Sequence, residues 1–234
     1  MNKTYDITII GGGIIGTATA LSILNAKKLN LLLLEAESSL AAHQTGNNSG
    51  VIHSGLYYKP GSLKAANCTL GRDMMYSFCK EHNISFDKCG KIVVATSKQE
   101  IPALNMLEER GRANGLAGIK RLSSSEIKEY EPHASGIDGL FVPQTGIVDY
   151  VAVTNKYADL IRNNGGEIKT NAKLTAVKKA ESDLVLLTEQ DEYRTKFIVN
   201  CAGLQSDRVA KLCGVDPGLM IIPFRGEYYQ LRKD

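Results

Sequence analysis

The sequence has no run of like charge, no C-x-x-C pair, no repeat, no low-complexity segment and no apolar stretch approaching a membrane span. Each absence closes off a class. The 28 Lys and Arg are interspersed with 25 Asp and Glu, leaving a formal charge of +3. Such a surface is an ordinary solvated exterior and offers nothing to nucleic acid. The five cysteines, Cys68, Cys79, Cys89, Cys201 and Cys213, have no histidine beside them at metal spacing. They read as buried reduced thiols, as in a reducing cytosol, in preference to disulfides or metal ligands. The N-terminus enters a strand-like run directly, without a basic-then-apolar signal segment. A cytoplasmic protein is expected, and 234 residues suffice for a real core in one or two domains.

What is present begins at Tyr5-Asp6-Ile7-Thr8-Ile9-Ile10, a β-branched apolar run that stops at Gly11-Gly12-Gly13. A small-residue helical segment follows at once from Ile14 and Ile15, so that Gly11, Gly13 and Gly16 fill G-x-G-x-x-G between a strand and a helix. In this motif the first glycine permits the turn, the second lets backbone approach a pyrophosphate, and the third lets helix and strand pack closely. The phosphates then face free N–H groups at the positive end of the helix dipole. The next apolar run, Leu31–Leu34, ends in Glu35, where a carboxylate can take a ribose hydroxyl pair. The combination predicts an adenine dinucleotide.

In chain order, the pattern predicts a helix over 14–26, a strand over 31–34, and a long loop from Ser38 to Gly61 rich in Gly, Ser, Asn, Gln and Tyr. A loop of that length in a compact domain is normally functional. A helix over 62–81 with Ser62 as N-cap follows, then a strand over 89–96, a helix over 99–114, and a short capped helix near Ser123–Glu126 that Pro132 stops. A strand at 139–142 leads to a helix running from Asp149 to Asn163 and ended by Gly165-Gly166. Strands at 168–170, 174–178, 184–187 and 196–200 come next, the last meeting Cys201-Ala202-Gly203, a second strand-to-glycine turn. Ala202 and Gly203 are therefore also expected to approach the dinucleotide. A last strand is expected over 226–231. The fold class is α/β: a Rossmann-like dinucleotide domain, over 1–85 and 146–217, interrupted by a sheet-based substrate domain over 86–145 and 218–234.

The loop segment Gln44-Thr45-Gly46-Asn47-Asn48-Ser49-Gly50-Val51-Ile52-His53-Ser54-Gly55-Leu56-Tyr57-Tyr58 refines the cofactor. Its small residues free backbone N–H groups, and its amides and hydroxyls both donate and accept. Gln44, Thr45, Asn48, Ser49 and Gly50 suit an isoalloxazine and pyrophosphate better than a nicotinamide. Together with Tyr57-Tyr58-Lys59-Pro60, Cys89-Gly90-Lys91, Thr145–Tyr150, Cys201-Ala202-Gly203, Ser206-Asp207-Arg208 and Pro223-Phe224-Arg225-Gly226, the segment resembles the L-2-hydroxyglutarate oxidase/dehydrogenase branch of the D-amino-acid-oxidase-like FAD flavoproteins. The family pattern has His where this chain has Asn47. The resemblance implies FAD of the DAO type, oxidation of the C2 hydroxyl of a small 2-hydroxy dicarboxylate, and adenine contacts from the backbone at Val177. It also implies a chain that continues past Asp234 into the rest of the substrate domain.

Individual residues keep two readings each. His53 is either a packed histidine or the group that takes the substrate's hydroxyl proton. Arg225 is either a surface charge or a planar fork for a substrate carboxylate. Tyr58, like Tyr57, either faces substrate or packs. The electron acceptor is oxygen or a membrane quinone, the latter implying peripheral contact at the inner membrane. Three competing functions stay open: a related flavoenzyme acting on an amino acid or glycerol phosphate, a flavin-binding module without turnover, and an NAD-dependent Rossmann enzyme.

Overall fold

A computed structural model describes residues 3–227, 229 and 232. The elements run β1 (Thr4–Ile10), α1 (Ile14–Ala26), β2 (Leu31–Leu34), β3 (Val51–Ile52), α2 (Leu63–Glu81), β4 (Phe86–Asp87), β5 (Lys91–Ala95), α3 (Ile101–Ala113), β6 (Lys120–Ser123), α4 (Ser124–Tyr130), β7 (Asp138–Val142) and β8 (Gly146–Val148). They continue as α5 (Tyr150–Asn163), β9 (Glu167–Lys169), β10 (Leu174–Lys179), β11 (Leu184–Thr188), β12 (Glu192–Asn200) and α6 (Ser206–Leu212). By packing, Met1–Asn47 and Tyr150–Asp234 form one unit and Asn48–Asp149 a second.

In the first unit the strand order is β10-β11-β12-β1-β2-β9. β12, β1, β2 and β9 are mutually parallel, with Ile10 opposite Asn200 and Leu34, while β10 and β11 add an antiparallel meander. The four leucines of β2 are all fully buried because they divide between two cores. Leu31 and Leu33 meet Ala20 and Leu21 of α1 and Ile161 of α5. Leu32 and Leu34 meet Leu186 of β11 and Val209 of α6. Strict alternation across the pleat with helices on both faces is what makes an all-leucine strand stable in water.

The second unit carries two small sheets, β3-β8-β4 and β5-β7-β6. Leu104 of α3 packs with Ala95, Leu140 and Val142 in its core. Arg121 on β6 grips Asp138 of β7 through two N–H groups at 2.6 and 2.5 Å and reaches Glu108 of α3 at 3.2 Å. That bidentate geometry ties strand, strand and helix with one side chain. Ser62 caps α2 by accepting from Ala65 at 3.2 Å, and Ser123 with Glu126 forms a reciprocal capping box at α4, as the sequence pattern predicts.

Three differences from the sequence reading stand out. The stretch Ser38–Gly61 is not wholly irregular: Val51 and Ile52 pair antiparallel with Ile147 and Gly146. Of the expected last strand, Tyr228, Gln230 and Leu231 lie outside the described residues, and Gly226, Glu227 and Tyr229 carry no regular structure. Only Cys79 among the cysteines is fully buried, and Cys89 is exposed.

Gly16 tests the helix–strand contact. A Cβ there would lie 1.9 Å from the Gly11 carbonyl oxygen. Gly16→Ala is expected to lower stability by at least about 2 kcal/mol, the scale of an overpacked core, as read by chemical denaturation. A second expectation concerns pH. The amide of Ser123, with the Lys120 ammonium and the Ser123 hydroxyl, holds the Glu126 carboxyl down to about 2. A lowered carboxyl pKa stabilises the fold above the unfolded value and loses that stabilisation as protons bind. The start of α4 is therefore expected to loosen between about pH 4.5 and 2, the unperturbed and folded values, and Glu126→Gln is expected to flatten that dependence in an acid titration of stability.

Candidate active site

In the first unit the ends of β1, β2 and β12 converge at their carboxyl edges, where open α/β sheets bind ligands. Gly11 has φ +111°, and a Cβ on it would strike the Cys201 carbonyl oxygen at 2.3 Å. The Gly11 amide donates to Leu34 and the Cys201 amide to Ile10, both at 2.8 Å. The three chain segments are thus laced together just before the first turn. Glu35 is buried, accepting from the Gly12 amide at 2.6 Å through one carboxylate oxygen and from the Glu37 amide at 2.8 Å through the other. It is held rigidly, and each oxygen keeps a second lone pair for a ribose hydroxyl.

Gly13 is the residue before α1, and no side chain of its own caps the helix. The cap comes instead from Thr45, whose hydroxyl oxygen accepts from the Ile14 amide at 3.0 Å. Ile15, one residue on, is 68% exposed. A Cβ on Gly13 would meet only that Thr45 hydroxyl, at 3.1 Å, and one on Gly203 only the Gln44 side-chain oxygen, at 3.2 Å. Both glycines therefore keep bare backbone facing the same small group of polar side chains. Asn47, where the family pattern has His, donates to the carbonyls of Ala42 and His43 at 3.1 and 2.7 Å and closes a local turn. Val177 sits in β10, opposite Leu186, with its side chain against the core.

In the second unit, the loop 53–58, together with Lys91 and Thr145, lines a cavity. Its path is set from behind, carbonyl by carbonyl. The Cys68 thiol reaches the His53 oxygen at 3.4 Å, Arg72 the Ser54 oxygen at 3.2 Å and Arg110 the Tyr57 oxygen at 3.4 Å. The Asn114 amide donates to both Gly55 and Tyr58 oxygens, at 3.0 and 2.9 Å. His53 itself is exposed and Tyr58 half-buried, so both rings project from a braced backbone. Asn48, Ser49 and Gly50 precede this loop: the Asn48 side-chain oxygen accepts from Gly50 at 2.6 Å, and Gly50 accepts from Val148 at 2.9 Å.

A family profile, FAD dependent oxidoreductase (DAO), matches residues 6–234. The chain belongs to that family. This chain is 47% identical to the L-2-hydroxyglutarate dehydrogenase of Indibacter alkaliphilus over 98% of its own length and 58% of that protein. It is 44% identical to the Escherichia coli enzyme of the same name, over 97% of the chain and 54% of the relative. The human mitochondrial L-2-hydroxyglutarate dehydrogenase is 41% identical over 99% of the chain and 53% of the relative. The chain thus spans about half the length of the curated relatives it matches. Among solved structures, dithionite-reduced L-alpha-glycerophosphate oxidase from Mycoplasma pneumoniae, with FAD bound, superposes with TM-score 0.81 at 29% identity, over 90% of this chain and 57% of that one. Glycine oxidase from Geobacillus kaustophilus reaches the same TM-score of 0.81 at 19% identity, over 90% of this chain and 58% of that one, and shares the fold.

The first unit of this chain fits the adenine dinucleotide end of FAD. Bare backbone at Gly13, the N-terminus of a 13-residue helix and an immobilised carboxylate at Glu35 are the three donor and acceptor types that a pyrophosphate and a ribose require. Gly11, Gly13, Ile14, Ile15, Gly16, Glu35, Gln44, Thr45, Ala202 and Gly203 belong to this unit, as does Arg225; His53, Tyr58, Asn48, Ser49 and Gly50 belong to the other. The Arg225 side chain is 86% exposed, with Glu227 at 3.6 Å. Sequence reasoning missed the bracing set Arg72, Arg110 and Asn114, because buttresses carry no motif; their one signal is placement on the helices that flank the loop. Asn114→Ala is expected to cost about 1–3 kcal/mol, the scale of buried acceptors left unpaired, and to raise hydrogen exchange in residues 55–58 well above that of α5.

Proposed function

We propose that this chain carries the cofactor cradle and a substrate-facing loop of an enzyme oxidising the C2 hydroxyl of L-2-hydroxyglutarate to 2-oxoglutarate. The observation that supports this reading is the 41–47% identity to proteins named L-2-hydroxyglutarate dehydrogenase across 97% or more of the chain. When bound, FAD supplies the two-electron acceptor for the C2 hydride. The following roles belong to this chain. Gly11–Gly16 and the α1 amides hold the pyrophosphate, Glu35 the ribose, and the backbone at Val177 the adenine. Gln44, Thr45, Asn48, Ser49, Gly50, Ala202 and Gly203 hold the remaining polar edge. The FAD-binding domain in this functional sense comprises residues 1–85 and 146–217, with 86–145 and 218–234 belonging to substrate recognition.

His53 takes the hydroxyl proton. A neutral imidazole is suited to that near neutral pH, and the Cys68–His53 contact at 3.4 Å steadies its backbone while leaving the ring exposed. Arg225 pairs with a substrate carboxylate through its fork, exchanging Glu227 for it, and Tyr58 presents its hydroxyl to the substrate. The electron acceptor is oxygen or a membrane quinone. A quinone would be met by peripheral contact of a cytoplasmic protein with the inner membrane.

Two outcomes test the reading in the full-length protein. Gly13→Val is expected to abolish FAD retention, because a branched side chain occupies the bare face of the turn; recovery of that variant with a normal flavin spectrum would overturn the cradle. His53→Ala is expected to slow flavin reduction by L-2-hydroxyglutarate about 100-fold or more, the usual range for a lost general base, with a smaller change in substrate dissociation constant. Rapid mixing decides it, and an unaltered rate leaves His53 a packing residue. Reduction by an amino acid or glycerol phosphate in place of L-2-hydroxyglutarate would move the enzyme elsewhere in its family.

A further inference from the structure

Lys91 has no part in the chemistry above, yet it stands in the wall of the His53 cavity. Among the residues of that wall it carries the single formal charge, with no Asp or Glu to balance it. Its ammonium nitrogen lies 4.4 Å from the centroid of the Tyr57 ring. Some lysines of this chain have an acidic neighbour, as Lys120 has Glu126 at 3.0 Å and Lys196 has Asp6 at 2.8 Å, while Lys88, like Lys91, rests over a tyrosine ring, that of Tyr76 at 5.5 Å. Lys91 is in no ion pair among the described residues. A cation resting on an aromatic face keeps its N–H donors available, because the ring attracts charge without accepting conventional hydrogen bonds.

The local backbone has been shaped to put it there. Gly90 adopts φ +78°, and a Cβ on it would collide with the Phe141 ring at 2.4 Å. The Gly90 amide donates to the Thr145 carbonyl at 3.0 Å, which draws Thr145 to the same wall as Lys91. Thr145 is 95% buried, being 5% exposed, and its hydroxyl oxygen has no hydrogen-bond partner among the described residues. A buried hydroxyl left unsatisfied is costly and rare in folded proteins. Thr145 and Lys91 line the same cavity, so an orphaned hydroxyl and a cation without an ion-pair partner among the described residues share one wall.

We propose that Lys91 and Thr145 form a carboxylate subsite that selects a 2-hydroxy dicarboxylate over a 2-hydroxy monocarboxylate. The proposal rests on the substrate class given above and assigns it to particular residues. Lys91 is suited to this as a compact charge on a flexible stem, which accepts a carboxylate in many orientations and can leave the Tyr57 ring as the substrate enters. The Thr145 hydroxyl is closed off from solvent as the wall stands, and turning it toward a seated carboxylate gives it the hydrogen-bond partner it lacks. Tyr57 is the parking place of the ammonium when no substrate is bound, which keeps an unpaired charge from drifting into bulk solvent.

The test compares L-2-hydroxyglutarate with L-2-hydroxypentanoate, which has the same five-carbon chain and a methyl in place of the second carboxylate. In the FAD-loaded full-length protein, Lys91→Met is expected to lower the ratio of the two kcat/KM values about 10- to 100-fold, the range for a hydrogen bond to a charged group. Lys91→Arg is expected to restore part of it. Thr145→Val is expected to lower the same ratio about 2- to 10-fold, the range for a neutral donor. An unchanged ratio in both Lys91→Met and Thr145→Val would overturn the subsite and leave Lys91 a packing partner of Tyr57. If the unaltered protein does not oxidise L-2-hydroxyglutarate, it is the function that fails, and the subsite is then decided by binding of glutarate, followed through tyrosine fluorescence. At least tenfold weaker glutarate binding in Lys91→Met supports it; equal binding in the two proteins, or none in either, overturns it.

Discussion

The first unit depends on one crowded place, where the backbones of Gly11, Gly16 and Cys201 lie closer than any side chain would allow. The parallel ladders from β1 to β2 and to β12 bring three chain ends to one edge, and that edge is useful only if the helix starts directly on it. A helix pushed outward by one methyl group would still be a helix. Its N-terminus would then no longer point at the bare backbone of Gly13, and electrostatic attraction to phosphate falls off within the first turn of a helix. Packing and ligand binding are therefore one constraint here, met by glycine.

The two units solve the positioning problem by different means. The nucleotide end is built from regular structure, so its precision comes from ladder registry and from a carboxylate, Glu35, held through both oxygens. The 53–58 loop has no ladder to lean on past Ile52. Its precision comes from side chains of α2 and the end of α3 reaching over to its carbonyl oxygens. Such bonds satisfy backbone groups that a loop would otherwise leave to water, while Leu56 anchors the loop in the core and the His53 and Tyr57 side chains stay exposed.

Much of this is legible in the residues alone, for reasons that differ by element. The βαβ start can be read because three glycines interrupt two apolar runs, a pattern few other structures require. Helices α2, α4 and α5 can be placed because Ser62, Ser123 and Gly165-Gly166 punctuate them with capping chemistry. Strands β3, β4 and β8 leave no such trace, being two or three residues long and too short for any period. The partition into packed units is equally hard to see. Residues 48–85 adjoin the glycine-rich loop in sequence and share its functional character, whereas they pack into one unit with residues 86–149. The protein family is readable from the motifs, while the buttresses Arg72, Arg110 and Asn114 carry no motif and gain a role only once the loop is seen beside them.

A loop steered through its carbonyls depends little on the side chains it exposes, although Gly55, at φ +98°, and the buried Leu56 stay fixed. Every residue type offers the same oxygen to Arg72, Arg110 or Asn114. The shape of the 53–58 segment is thus separable from its chemistry, and exchanges at positions 53, 57 and 58 alter what the cavity presents while the frame keeps its course. In an evolving lineage, or on a designer's bench, that makes the loop an interchangeable cartridge: new reactivity is explored in the cartridge, and the holder behind it stays the same.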